Sequence, residues 1–147
     1  MTNREFPKLI IGNIHQDRRG ILVFNNEFDL SPIKRMYIIK HPDDSVIRAW
    51  QGHLKEHKYF MCIKGKFVIV WKDISNYPNI NDKDLTDYKI LRKDDQLVLS
   101  IPPGFANGMK ALENNSELLV FSNFTLNESG TDNFRFDKDL WFDWDKF

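Results

Sequence analysis

The sequence predicts an all-β domain, a sandwich or barrel, and three observations carry that expectation. Eight short runs rich in Val, Ile, Tyr, Phe and Trp follow one another at fairly even spacing, and such side chains suit a pleated, half-buried surface. The breaks between them hold Gly, Pro, Asn and Asp, each with turn chemistry of its own. The chain has 147 residues, 41% hydrophobic and 29% charged, which fits one ordinary folded domain and excludes a disordered chain.

In chain order the runs cover residues 21–24, 33–39, 46–50, 58–63, 66–71, 87–91, 96–101 and 118–124. Asn25-Asn26 and Pro42-Asp43-Asp44 close the early runs. The clearest pair is YFMCI-KG-KFVIVW, where Lys64-Gly65 reads as a tight hairpin turn. The polar stretch 75–87 reads as an exposed excursion between strands. Pro102-Pro103-Gly104 makes a rigid corner after a strand, aiming Phe105 and Asn107 at whatever lies opposite. Asn114-Asn115 and Ser129-Gly130 mark the last turns. In the tail, 137–147, Leu140, Trp141, Trp144 and Phe147 fall at roughly helical spacing, which predicts a short C-terminal helix closing one side of the barrel.

Charge and cysteine content narrow the function. With 21 basic and 21 acidic residues the net charge is zero, so the footprint of a nucleic-acid binder is missing. The opening MTNREFPKLIIG has charges and no apolar core, predicting no secretory signal. The longest unbroken apolar run, 67–71, is too short for a bilayer, so no membrane partner is expected. Cys62 has no second cysteine to pair with, which predicts a reducing, cytoplasmic location and a buried small hydrophobe.

No phosphate loop, CxxC pair, HExxH or G-x-S-x-G elbow is present. Chemistry concentrates instead in R-A-W-Q-G-H-L-K-E-H-K, residues 48–58. Strand alternation places Gln51 and His53 on one face, with Arg48 on the other unless the chain bulges at Gly52. Read alone, the segment is either a solvated hairpin end or the mouth of a cavity.

With I-P-P-G-F-A-N-G at 101–108, this segment resembles the cupin family, whose motifs carry His-x-His and Pro-x-Gly-x-x-His. Here Gln51-Gly-His53 and Pro102-Pro-Gly104-Phe-Ala-Asn107 stand in those places. D-R-R-G-I-L-V at 17–23, P-I-K-R-M-Y-I-I at 32–39 and R-A-W-Q-G-H at 48–53 are similar to dTDP-sugar 3,4-ketoisomerases. The 101–108 corner and Lys58 look more like dTDP-4-dehydrorhamnose 3,5-epimerase. The resemblance implies a single cupin domain over 1–147, a double-stranded β-helix or jelly-roll barrel, and a homodimer.

It also implies a reaction: isomerisation of a nucleotide-linked, dTDP-type 4-keto-6-deoxyhexose through an enolate. A ketone at C4 acidifies its neighbouring protons, a base removes one, and a donor or cation holds the enolate oxygen. No cofactor is needed. Gln51 and Asn107 fill two cupin His positions, and amides are poor transition-metal ligands, so no metal is expected.

Carried over by resemblance, the catalytic set is His53 as base, Tyr37 as donor or orienter, and Arg48 and Lys58 as cations for the enolate oxygen or pyrophosphate. Arg19, Gln51, Trp50, Phe105, Asn107 and Phe121 complete the substrate site. Gln51 replaces the epimerase's catalytic His and Phe121 its acid Tyr, which favours the ketoisomerase version over a 3,5-epimerase. The same departures also suit a catalytically silent sugar-nucleotide binder, and a metal-dependent oxygenase ranks last. Taken alone, His53 reads equally as a structural His bonded to a loop carbonyl. Tyr37 alone reads as core with its hydroxyl at the rim, and Trp50 and Phe105 as barrel filling. Lys58 and Arg19 alone read as surface cations, and Glu56 as exposed. His15, His41 and His57 receive no role.

Overall fold

A computed structural model describes residues 4–147. Its strands are β1 Lys8–Ile11, β2 Asn13–Asp17, β3 Gly20–Phe24, β4 Arg35–His41, β5 Ile47–His53, β6 Lys58–Lys64 and β7 Lys66–Asp73. They continue as β8 Thr86–Arg92, β9 Leu97–Ile101, β10 Phe105–Ala111, β11 Ser116–Ser122 and β12 Phe134–Arg135, with one short helix, α1, at Leu126–Gly130. Two five-stranded antiparallel sheets face each other, in the orders β1-β9-β6-β11-β4 and β12-β5-β10-β7-β8, and β2-β3 forms a separate hairpin. This is the all-β sandwich that the run pattern predicts, and it is of the cupin type that the resemblance implies.

Between the sheets lies a core of Phe60, Cys62, Phe67, Ile69, Trp71, Leu99, Ile101, Leu118 and Val120 among others. The continuous apolar run on β7 has a physical reason. Its alternate residues Val68 and Val70 face outward into a second cluster with Trp50, Ala106 and Trp144, so β7 is covered on both faces. Cys62 is buried, and burial pushes its thiol up to about 11.

The tail closes the outer face of the second sheet, but not as a regular helix. Only Trp144–Lys146 forms a 3-10 turn, and Trp141 sits at φ 67°, outside the helical region. The tail's carbonyls are taken by side chains instead: Trp50 Nε1 donates to Leu140 O at 2.9 Å, Trp144 Nε1 to Lys138 O at 2.8 Å, and Lys110 Nζ to Phe147 O at 2.8 Å. Among the described residues the one α-helix lies earlier, where Thr125 caps it and Glu128 completes a capping box.

β10 was masked in the sequence by its own turn-like residues. Gly108 is there for close packing, since a Cβ would meet Ala49 at 2.7 Å and the Trp144 ring at 3.0 Å. The corner before it is as expected, with Gly104 at φ 93°. The excursion at 75–85 is tied down by Lys72, whose buried ammonium donates to the carbonyls of Asn81, Asp82 and Asp84 at 2.9, 3.1 and 2.7 Å. No helix among the described residues is long and apolar enough to cross a membrane.

Candidate active site

The site opens between β4, an edge strand, and the β5–β12 edge of the facing sheet. Inward positions on β5 do not follow simple alternation. Asn107 pairs with Gln51 while Met109 pairs with Arg48, so β5 carries one extra residue at Ala49-Trp50. That bulge, and not one at Gly52, returns Arg48 to the face that holds Gln51 and His53. Arg48 thus points where plain alternation would forbid it.

Two cavities merge there. An inner one of about 280 Å³ is lined by Tyr37, Arg48, Gln51, Phe60, Asn107 and Arg135 among others. An outer one of about 450 Å³ shares Tyr37, Arg48, Gln51 and Arg135 and adds Arg35, Lys58, Ser129 and Asn133. Among the described residues, four cationic side chains and no carboxylate line this cleft. Such a surface suits an anionic ligand.

Beneath the cations runs a buried polar chain. Lys58 Nζ donates to the Tyr37 hydroxyl at 2.7 Å and lies 3.4 Å from Glu56 Oε2. Glu56 also receives Ser122 Oγ at 2.7 Å and Arg35 Nη2 at 3.2 Å. Contrary to the expectation of an exposed side chain, Glu56 is 1% exposed. Burial alone would raise its carboxyl, but the Ser129 hydroxyl, the Lys58 charge and the Ser122 hydroxyl outweigh it and hold it below the usual range.

His53 is 2% exposed. Its Nδ1 lies 2.7 Å from the Asp132 carbonyl and 3.6 Å from Glu56 Oε1, while Nε2 has no protein partner. Burial, and then the nearby Lys58 charge, push the imidazole below its ordinary value and keep it neutral near pH 7. The loop carbonyl of the structural alternative is therefore present, and His53, with Nε2 buried and unpartnered, lies behind the cleft wall and lines neither cavity.

The remaining candidates divide. Tyr37, Arg48, Gln51, Lys58 and Asn107 line the cleft, and Gln51 Nε2 donates to Asn133 Oδ1 at 3.2 Å. Trp50 borders the inner cavity, yet its indole packs at tilted angles against Trp141 and Trp144 in the outer cluster. Phe105 fills the barrel beneath Phe6 and the Arg4 guanidinium and lines neither cavity. Phe121 pairs with the outward Met36 and packs on Phe28, because alternation gives the inward positions of β11 to Val120 and Ser122. Arg19 sits on the β2–β3 turn, bonded to Asp17 at 2.8 Å and sharing no wall with the cleft.

Sequence reasoning missed Arg35, Arg135 and Asp132. Arg35 stands two residues before Tyr37, on the same face of β4, a period-two signal that was available. Arg135 and Asp132 come from a segment whose pairing to β5 no local pattern announces. As for the metal of metal-binding cupins, the residues do not fit one. Among the described residues no group of three or more His, Cys, Asp or Glu is placed to hold a metal.

Comparison with curated protein sequences finds no match. Solved structures are informative. A variant of the 3,4-ketoisomerase QdtA from Thermoanaerobacterium thermosaccharolyticum, in complex with TDP-4-keto-6-deoxyglucose, is 26% identical with a TM-score of 0.68, covering 88% of this chain and 87% of that one. The rmlC epimerase of Mycobacterium tuberculosis shares the fold at 20% identity and a TM-score of 0.77, over 98% of this chain and 78% of that one. The WlaRB TDP-quinovose 3,4-ketoisomerase of Campylobacter jejuni does so at 20% and 0.68, over 88% and 92%. The structural neighbours thus include both kinds of sugar-nucleotide enzyme. The FdtA: WxcM-like, C-terminal family model matches residues 4–138, from the N-terminal strand past every wall of the cleft, and the chain belongs to that family.

Proposed function

We propose that the protein is a sugar-nucleotide 3,4-ketoisomerase acting on a dTDP-linked 4-keto-6-deoxyhexose. One observation carries the reading: a cleft with four cations and no carboxylate connects, through Lys58 and Glu56 behind its wall, to a buried imidazole, His53, whose Nε2 has no protein partner. Arg48 and Arg135, which line both cavities, are suited to the pyrophosphate. His53 Nε2 takes the C3 proton, and the C–H electrons form a C3–C4 double bond as the C4 carbonyl becomes an enolate oxygen. Tyr37 accepts its hydrogen bond from Lys58, so its own hydrogen is free to be donated to that oxygen. The O3 hydroxyl proton then passes to the enolate oxygen at C4, making it a hydroxyl, and the His53 imidazolium returns its proton to C4 as the C3–O bond becomes the carbonyl.

The test is proton NMR of dTDP-4-keto-6-deoxyglucose incubated with the protein in D2O, with His53→Asn as control. Exchange or migration at C3 that vanishes in the control supports the reading. Loss of the C5 proton signal as well returns the 3,5-epimerase version. Nucleotide contacts without exchange indicate a silent binder.

The protein also acts as a homodimer in this proposal. The β2–β3 hairpin pairs only with itself and carries exposed Ile14, Ile21, Leu22 and Val23, an apolar surface that a second copy would cover. A monomeric mass in solution at micromolar concentration contradicts it.

A further inference from the structure

Asp132 is 3% exposed and makes an unusual double attachment. Its carboxylate accepts three consecutive backbone N–H groups of the β5–β6 turn: Leu54 at 2.9 Å on Oδ1, and Lys55 at 2.9 Å and Glu56 at 2.7 Å on Oδ2. Three successive amides around one anion form a nest. Its backbone carbonyl meanwhile meets His53 Nδ1 at 2.7 Å. A carbonyl oxygen only accepts, so this contact demands a hydrogen on Nδ1 and leaves the lone pair of the neutral ring on Nε2.

The carboxylate is what makes that carbonyl reliable. Asp132 lies far along the chain from β5, between α1 and β12, and the nest fixes its backbone against the residue next to His53. Two residues further on, Phe134 and Arg135 pair with Gly52 and Gln51. The attachment therefore adjoins the strand pairing that carries Gln51 and Arg135, both of which line the cleft. A purely structural cap would satisfy the three N–H groups without placing a second acceptor on the ring.

We propose that Asp132 is a positioning residue that holds His53 in the Nδ1–H tautomer, with Nε2 presented as the base. The role rests on the ketoisomerase reading for its use in turnover, but the tautomer is measurable without any substrate.

The experiment is long-range nitrogen–proton NMR of the imidazoles of the full chain, with the His53 signals assigned by their loss in His53→Asn. The wild type is expected to show His53 as a single Nδ1–H tautomer. In Asp132→Ala the released carbonyl gives a mixture with the Nε2–H form, and C3 exchange falls on the order of 100-fold, the low end of a positioned acid–base contribution. Asp132→Asn keeps the size but turns one acceptor into a donor facing the amides, and gives an intermediate shift in both readouts. This second variant decides the matter should the alanine chain not fold. An Nε2–H tautomer in the wild type overturns the proposal outright. So does a folded Asp132 variant whose His53 signals and exchange rate match the wild type. Absence of exchange in the wild type, with the tautomer change intact, defeats the ketoisomerase reading and leaves the positioning of His53 standing.

Discussion

The Lys58 ammonium donates to the Tyr37 hydroxyl at 2.7 Å while lying 3.4 Å from the buried carboxylate of Glu56. One cation thus joins a cleft-facing phenol to an anion that cannot reach water. Removing Lys58 as Lys58→Met leaves Glu56 with Arg35 as its only cation of comparable proximity. Breaking a buried pair from one side costs about 3–5 kcal/mol, so chemical denaturation should show a loss of that order together with loss of turnover. Tyr37→Phe separates the two effects. It leaves the Lys58–Glu56 pair intact, should cost about 1–3 kcal/mol for a donor left unmet, and should reduce C3 exchange by about 100-fold or more.

Acid should unfold the protein in two windows. His41, His53 and His57 are each held below the ordinary imidazole value of 6.5, in every case chiefly by burial. Below pH 6.5 the unfolded chain therefore binds protons that the folded chain refuses, and stability falls as pH falls; above it the stability is complete. His41 is the clearest contributor, with both ring nitrogens unpartnered and its ring edge-on to Phe67. Arg48 lowers it further, and Asp43 opposes. His41→Leu should raise the melting temperature at pH 5.5 more than at pH 8, since an apolar side chain has no nitrogen to protonate. The lower window belongs to Asp73. Burial works against its ionisation, but the two-pronged Arg4 contact and Ser75 win and bring it down to about 2. Its share of stability is present above 3.8 and lost toward pH 2 in the wild type, and smaller in Arg4→Ala, where only the Ser75 bonds remain.

The ordered excursion depends on one ammonium. Lys72 satisfies three carbonyls with its three hydrogens and sits 5.7 Å from the Trp141 ring. Lys72→Met keeps the stem's packing and removes the donors. Backbone amide exchange across 76–84 should then accelerate well before global unfolding, while amides of β7 and β10 keep their protection. Uniform acceleration over all strands would mean that the loop and the core unfold as one unit.

The fold was legible because its signals are local. Alternating or continuous apolar runs marked most strands, and Gly65 alone, at φ 72° between β6 and β7, accounts for the tightest hairpin. β10 escaped because Asn107 and Gly108 look like turn residues, whereas one faces a cavity and the other admits Ala49 and Trp144. The site was legible where residues lie on strands with a family pattern, as Tyr37, Arg48, Gln51, Lys58 and His53 do. It was illegible where long-range packing decides. Phe121 faces outward by a one-position difference from Ser122, which touches Glu56. Asp132 and Arg135 reach the site only because the segment after α1 folds back onto β5.

That return segment yields the last prediction. Arg135 lines both cavities beside Arg48, and among the described residues its guanidinium donates to no protein acceptor, so its donors are free for a ligand. Arg135→Ala and Arg48→Ala should each weaken nucleotide-sugar binding by about 10- to 100-fold, the scale of hydrogen bonds to charged groups at about 1.5–3 kcal/mol. Both should raise KM more than they lower kcat, because a diphosphate is held alike before and during reaction. Binding of dTDP alone should weaken in parallel and with a shallower salt dependence than in the wild type. Should Arg135→Ala bind dTDP as tightly as the wild type, the diphosphate does not lie along this wall. The cations of the cleft would then have to serve the sugar itself.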